Sequence, residues 1–332
     1  MELLEAATGE LAQMSLAAVR HIVDNRLYAR LGIPASAIPL IESSWKAAQP
    51  SLYGRLDLFY DGVHPPKLLE YEADTPASLA EAAISQRCWL EDRFPGRDQF
   101  NAIRQRLVDR WSELAPQLNG PVHFCPVDAA RNAATVRCLE ETAQEAGLTT
   151  SAFPITEIGW DGRSFIGPGG QELAVVFKLY PWEWMVREEF GKHLCSATTL
   201  WLEPPWKMLL SNKALLPVLW ELYPRHPYLL EARFDSPGLM MSWIRKPLLG
   251  REGSNIALHQ PGKDFETGGN YGAEGFIYQA LAPIENLEGV YPVMESWVVG
   301  RQEGPSAAGF GVRESATPIS TGDSRFVPHL IG

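Results

Sequence analysis

Two short apolar-rich segments that alternate residue by residue, RLDLFY (55–60) and KLLEYEA (67–73), flank the turn residues DGVHPP. This pattern predicts a β-hairpin. Counting by twos places Arg55, Asp57 and Phe59 on one face of the first strand, and Glu70 and Glu72 on one face of the second. Antiparallel pairing then gathers Asp57, Glu70 and Glu72 beside Arg55. Carboxylates so gathered repel one another unless a cation sits among them. An all-oxygen donor set favours magnesium, or manganese, over zinc. A solvated edge hairpin with scattered charges is the plain alternative.

At 332 residues the chain is long enough for two or three packed subdomains, and 45% hydrophobic against 21% charged residues excludes a disordered chain. The net charge of −11, with no basic stripe, argues against a nucleic-acid partner. The start, MELLEAATGELAQMSLAAVRHIV, is acidic and amphipathic rather than a signal peptide, and no apolar run approaches membrane-spanning length. A cytoplasmic protein with no membrane partner is expected. Cys88, Cys125, Cys138 and Cys195 form no CxxC pair, so neither structural zinc nor a disulfide framework is expected. Cys125, in VHFCPV, reads as a buried thiol.

Taken in order, apolar spacing predicts one helix from Glu2 to Arg30 and further helical character before Pro50. After the hairpin, Asp74 with Thr75 and Pro76 reads as a helix start, and the helix is expected to run to Arg93. Its amino end would face the carboxylates, with Thr75 and Ser78 as hydroxyl donors toward an anionic group. Asp98 to Leu118 reads as a helix. PVHFCPV, a helix from Asp128 to Ala146 and LTTSAFPIT read as one parallel strand–helix–strand unit. No GxGxxG or GxxxxGK[ST] follows any strand, which disfavours dinucleotide-binding and P-loop folds.

The last third reads as antiparallel and lysine-bearing. Ser211 or Asn212 starts a helix with Lys213 in its first turn, where a cation opposes the helix dipole and asks for an anion. A strand carries Lys246, and the following loop holds Gly250, Arg251, Glu252 and Gly253, permissive enough to close over phosphates with its N–H groups. GFIYQALAP, YPVMESWVVG and AAGFGVRES read as strands, the last with Arg313.

The motifs EYEADTPAS, FKLYPWEW, EPPWKMLLSNKALLPVLW, KPLLGREGSN and GVRES through FVPHLI occur in the order that resembles the synthetase part of glutathionylspermidine synthase and its stand-alone bacterial relatives. The resemblance runs from about residue 30 to the end. It implies an α/β (α+β) chain with an ATP-grasp fold behind a pre-ATP-grasp α/β domain. The implied parts are a helical segment at 1–50, a metal and acid-substrate region at 51–200 and a nucleotide-binding region at 201–332. It further implies a reaction that joins a small-molecule acid, glutathione or another, to an amine, a polyamine or another, through an acyl phosphate at the expense of ATP. A peptide ligase with another acceptor would share this chemistry.

Carried over by position, Asp57 and Glu70 match magnesium ligands and Arg55 matches an arginine facing the acid. Lys213 and Lys246 match lysines that hold ATP phosphates, and Arg313 matches one that approaches the transferred phosphoryl group. The segment at Tyr278 and Gln279 matches the adenine contact, the loop from Gly250 to Asn255 the phosphate cover, and Thr75 a serine near the acid. Two features depart from the family's pattern. Glu72 stands where asparagine is usual, so metal affinity is expected to rise and ATP approach to be penalised, and a nucleotide-binding protein without catalysis stays open. No cysteine amidase region precedes the synthetase part, so no hydrolysis of the amide is expected. The base that deprotonates the amine stays open between Glu183 and Asp74.

Overall fold

The computed structural model describes residues 1–128, 130, 132–283, 288–301 and 304–331. Helix α1 (Glu2–Asp24) stops short of the expected Arg30. The Asn25 side-chain amide donates to the His21 carbonyl at 2.9 Å, Arg26 turns left-handed, and a 3-10 turn, Leu27–Leu31, follows. After α2 (Ile38–Lys46), strands β1 (Tyr53–Phe59) and β2 (Lys67–Glu72) form the expected hairpin. Arg55 lies opposite Glu72, and Asp57 opposite Glu70.

The next helix departs from expectation at its start. Residues 74–78 are loop, helical structure begins at 79, and a π segment, Glu81–Ser85, leads into α3 (Gln86–Arg93). Asp74 caps nothing because its carboxylate is taken elsewhere: Lys178 Nζ donates to one oxygen and the Trp182 N–H to the other at 2.9 Å. Likewise α4 (Ile103–Leu114) begins after Asp98, which bridges to Ile331, and after Asn101, which bridges to Gly309.

Strand β3 (Val122–Pro126), α5 (Ala133–Glu145) and β4 (Thr150–Ala152) make the expected parallel unit, although parts of the turn into α5 lie outside the described residues. A small hairpin of β5 (Gly159–Trp160) and β6 (Phe165–Ile166) precedes β7 (Val175–Leu179), the single turn α6 (Trp182–Met185) and β8 (Leu200–Leu202). The parallel sheet has the order β4-β3-β7-β8.

Helix α7 (Leu215–Leu222) starts just after Lys213, with the Asn212 side chain accepting the Ala214 N–H at 2.9 Å; Lys213 is thus ahead of the helix rather than within it. Strands β9 (Ala232–Arg233), β10 (Trp243–Pro247), β11 (Ala257–Gln260), β12 (Lys263–Glu266) and β13 (Phe276–Ala280) form an antiparallel sheet, β12-β11-β10-β13-β9. The chain then returns as β14 (Tyr291–Arg301), β15 (Gly304–Ser315) and β16 (Arg325–Val327), which pair with the hairpin as β16-β15-β14-β1-β2.

This last sheet is the centre of the molecule. Every residue of β1 is buried. Leu56, Leu58 and Val298 on one face join the core that includes α1 and α7, whereas Tyr53, Trp297 and Val299 on the other join α4, β3 and β7. Tyr53 stacks against both Phe177 and Trp297 at 6.0 Å. Along that second face the apolar pair Tyr53 and Val299 gives way to Arg55, Asp57 and Glu295. Packing thus ends where charge begins. The start of β1 is pinned from the EPPWK motif: Glu203 accepts the Leu52 and Tyr53 N–H groups at 3.0 and 3.1 Å, and Lys207 lies 2.5 Å from both Glu203 and the Tyr53 carbonyl.

Among the described residues, no helix is long and apolar enough to cross a membrane. All four cysteines are free, and burial pushes the Cys125 thiol up to about 12, which leaves it inert as a nucleophile.

Candidate active site

The hairpin face carries a row of charge across three strands. Glu70, Asp57 and Glu295 lie directly opposite one another on β2, β1 and β14. Arg55, in the neighbouring row, grips Asp57 with two bonds, Nε to Oδ1 at 2.6 Å and Nη2 to Oδ2 at 2.9 Å. Its Nη1 donates to the Ala77 carbonyl at 2.8 Å and lies 3.4 Å from Glu295. Arg313, on β15, places Nε 3.0 Å from the same Glu295 oxygen and donates from Nη2 to Ser78 Oγ at 2.5 Å. Arg55 and Arg313 therefore converge on one carboxylate and on adjacent residues of one loop.

That loop, 73–78, is held from four directions. Ser211 Oγ accepts the Ala73 and Asp74 N–H groups at 2.9 and 2.8 Å. The buried Lys178–Asp74 pair anchors its base, with both side chains at most 1% exposed. The two arginines hold Ala77 and Ser78, and Arg251 Nη1 donates to Thr75 Oγ1 at 2.9 Å. Thr75 and Ser78, expected as donors to a substrate, here accept from arginines, and the helix begins only beyond them.

Between the hairpin and the β10–β13 strands lies a cleft of about 780 Å³, open mouth included, within the usual size of ligand pockets. One end is polar, with Asp57, Glu70, Lys213 and Lys246. The other is apolar, with Ile244, Ile256, Leu281 and Ile319. Lys213 Nζ lies 2.9 Å from Glu70 and donates to the Gly250 carbonyl at 2.7 Å. Lys246 donates to the Leu69 carbonyl at 2.8 Å and to Gln279 Oε1 at 2.9 Å, and burial lowers it to about 8. Burial alone would raise Glu70, but Lys213 and Lys246 outweigh it and hold that carboxyl at about 2.

The loop after β10 brings Gly250, Glu252 and Gly253 to the cleft wall. Gly253 is at φ +68°, and a Cβ there would lie 2.4 Å from the Ser320 carbonyl oxygen, so only glycine fits. Arg251 turns the other way, into a smaller second cavity. There it pairs with Glu183 at 2.8 Å and lies 3.7 Å from Glu72. Gln279 lines the cleft, but Tyr278, one residue earlier on the strand, packs its ring on Trp243 instead. Of the two bases left open above, Asp74 has both oxygens bonded, whereas Glu183 borders the second cavity.

Among the described residues, no three His, Cys, Asp or Glu side chains are arranged as a ready metal cage. The donor set nevertheless fits a hard cation. Asp57, Glu70 and Glu72 supply only oxygen, and Glu72 Oε2 is buried without a hydrogen-bond partner. Burial raises Glu72 to about 7 against the pull of Arg251 and Lys213, with Glu70 adding to the rise. In the unfolded chain the same carboxyl titrates near its ordinary 4.5. Between those values the folded form holds the proton more tightly, so its contribution to stability is complete below pH 4.5 and is lost as pH rises through 7. Glu72→Gln is expected to remove that loss, by up to about 3 kcal/mol, so that thermal unfolding from pH 4.5 to 8 shows a flatter profile than wild type. Parallel profiles would contradict it.

Residues 1–332, the whole chain, match the family described as Glutathionylspermidine synthase preATP-grasp. The chain belongs to this family. A Haemophilus influenzae protein named "Putative acid–amine ligase" is 39% identical over 344 residues, covering 98% of this chain and 86% of the relative. Trypanothione synthetase of Crithidia fasciculata is 27% identical over 89% of this chain, and the bifunctional glutathionylspermidine synthetase/amidase of Escherichia coli is 28% identical over 90%. The match spans only 49% and 53% of those two proteins. Among solved structures, a glutathione synthetase-like effector from Globodera pallida, in its apo form, shares the fold at a TM-score of 0.61 and 11% identity, over 99% of this chain and 87% of its own. The mixed α/β architecture is thus that of the glutathione synthetase-like, ATP-grasp type.

Two residues central to the geometry were not singled out from sequence. Lys178 and Glu295 each stand alone within an apolar strand, AVVFKLY and YPVMESWVV. A lone charge in a strand buried on both faces must have a partner, and that signal was available.

Proposed function

We propose that this protein is an ATP-dependent ligase that joins the carboxylate of one small molecule to the amine of another through an acyl phosphate. The family's members named above support a ligase-type activity. The observation that carries the reading is the meeting of Arg55 and Arg313 on Glu295, directly behind Asp57, which lines a cleft that also holds two buried lysines. We further propose a helical segment over 1–50, an acid and metal region over 51–200 and a nucleotide-binding region over 201–332, with strands of the last two sharing the central sheet.

In this reading the apolar end of the cleft takes adenine, and Lys213 and Lys246 hold the phosphates beneath the loop at Gly250 to Asn255. Asp57, Glu70 and Glu72 are the residues that would hold magnesium, which supplies charge neutralisation among the phosphates. Arg55 orients the acid. A carboxylate oxygen of the acid bonds to the γ-phosphorus, the bond from that phosphorus to the bridging oxygen breaks, and ADP leaves. Arg313 stabilises the charge on the moving group. The amine then attacks the acyl carbon, phosphate departs, and Glu183 takes the amine's proton once Arg251 has moved away.

The test is phosphate release from ATP and magnesium, against a matrix of acids that includes glutathione and amines that include spermidine. Release that requires both partners and disappears in Lys246→Ala and Glu70→Ala is the expected result. ATP-dependent thermal stabilisation with no release for any pair would replace the ligase with a nucleotide-binding protein.

A further inference from the structure

The family resemblance assigns no role to Glu295, yet with Asp74 it is one of the two most enclosed acids of the site. Its side chain is 1% exposed on β14, opposite Asp57, with one oxygen 3.0 Å from Arg313 and 3.4 Å from Arg55. Neither carboxylate oxygen makes a hydrogen bond of good geometry, so the contact is an ion pair rather than a directed bond. Two guanidinium groups this close in a buried setting repel each other. A carboxylate between them removes that repulsion and sets how closely they approach.

We infer that Glu295 is a positioning residue that holds Arg55 and Arg313 together as one anion cradle facing the loop at Ala77 and Ser78. The inference rests on the ligase reading for its catalytic consequence, and on geometry alone for the coupling. Arg55 has its other nitrogens bonded to Asp57 and Ala77, and Arg313 reaches Ser78. Each arginine is thus tied to the loop at one side and to Glu295 at the other. Glu295 is the only acid in the β14 sequence, so without it that strand offers no carboxylate to offset their repulsion. Glu295 is absent from the lining of the nucleotide cleft, so its loss is expected to leave ATP binding as it was.

The experiment compares Glu295→Gln and Glu295→Ala with wild type in steady-state turnover. The expected result is a fall in kcat of about 100-fold for alanine and a comparable fall for glutamine, which keeps the size of the side chain but not its charge. KM for ATP and the thermal shift given by ATP and magnesium are expected to stay within about 2-fold of wild type. A purely structural role would instead lower stability and leave kcat of the folded fraction unchanged. An active wild type whose Glu295→Ala variant keeps kcat within about 2-fold overturns the inference and leaves the ligase reading intact.

An inactive wild type overturns the ligase reading, and the coupling is then decided by thermal unfolding of Glu295→Gln, Arg313→Gln and the double variant. A double variant that loses less Tm than the two single losses combined supports the cradle. Simple additivity overturns it.

Discussion

Arg55→Ala is expected to lower turnover by about 10³-fold and to destabilise the fold by about 3–5 kcal/mol. Both effects have one origin. Arg55 is 6% exposed, and its guanidinium lies against Asp57, Glu295 and the Ala77 carbonyl. Removing it leaves two carboxylates facing each other across adjacent strands with half their counter-charge gone. Arg55→Lys separates the two effects. A lysine keeps the positive charge but cannot make the paired bonds to Asp57 while also reaching Ala77. Its stability loss is expected to be the smaller, whereas turnover still falls by about 10²-fold or more. A lysine variant with near wild-type turnover would remove Arg55 from the chemistry.

Lys178→Ala carries the second large effect, and it acts without touching any substrate. Lys178 is fully buried and donates to Asp74, which also accepts the Trp182 N–H. Truncation strands the Asp74 carboxylate in the interior, a change of about 3–5 kcal/mol. Asp74 is the base of the loop that carries Thr75, Ala77 and Ser78, so the arginines lose the surface they are bonded to. The expected outcome is a lowered Tm together with reduced kcat. The double variant Lys178→Met with Asp74→Leu is expected to recover more Tm than turnover, because the buried charge is gone but the loop's anchor is not restored. Recovery of both together would mean that the pair serves stability alone.

The hairpin was legible because strand alternation is a local rule: Arg55 opposite Glu72 and Asp57 opposite Glu70 follow from counting alone. The helix start at Asp74 was misread for an equally physical reason. Asp, Thr and Pro in sequence satisfy a local capping pattern, but a lysine distant in the chain competes for the same carboxylate and wins. Glu203 and Lys207, quoted within a family motif, brace the first residues of β1. The partners of Glu295 became visible only through register, since β14 reaches β1 from the far end of the chain. Tyr278 and Gln279 show the same limit: which of two adjacent strand residues lines a cleft depends on which sheet face the cleft occupies.

An acyl phosphate intermediate moves one oxygen atom from the acid to the released phosphate. With the acid that supports turnover labelled in its carboxylate with oxygen-18, the phosphate released from ATP should carry one labelled oxygen, because the acyl phosphate leaves with an oxygen that began on the acid. Phosphate free of label, with amide formed, would contradict the proposed use of Arg55 and Arg313 at a shared phosphoryl group.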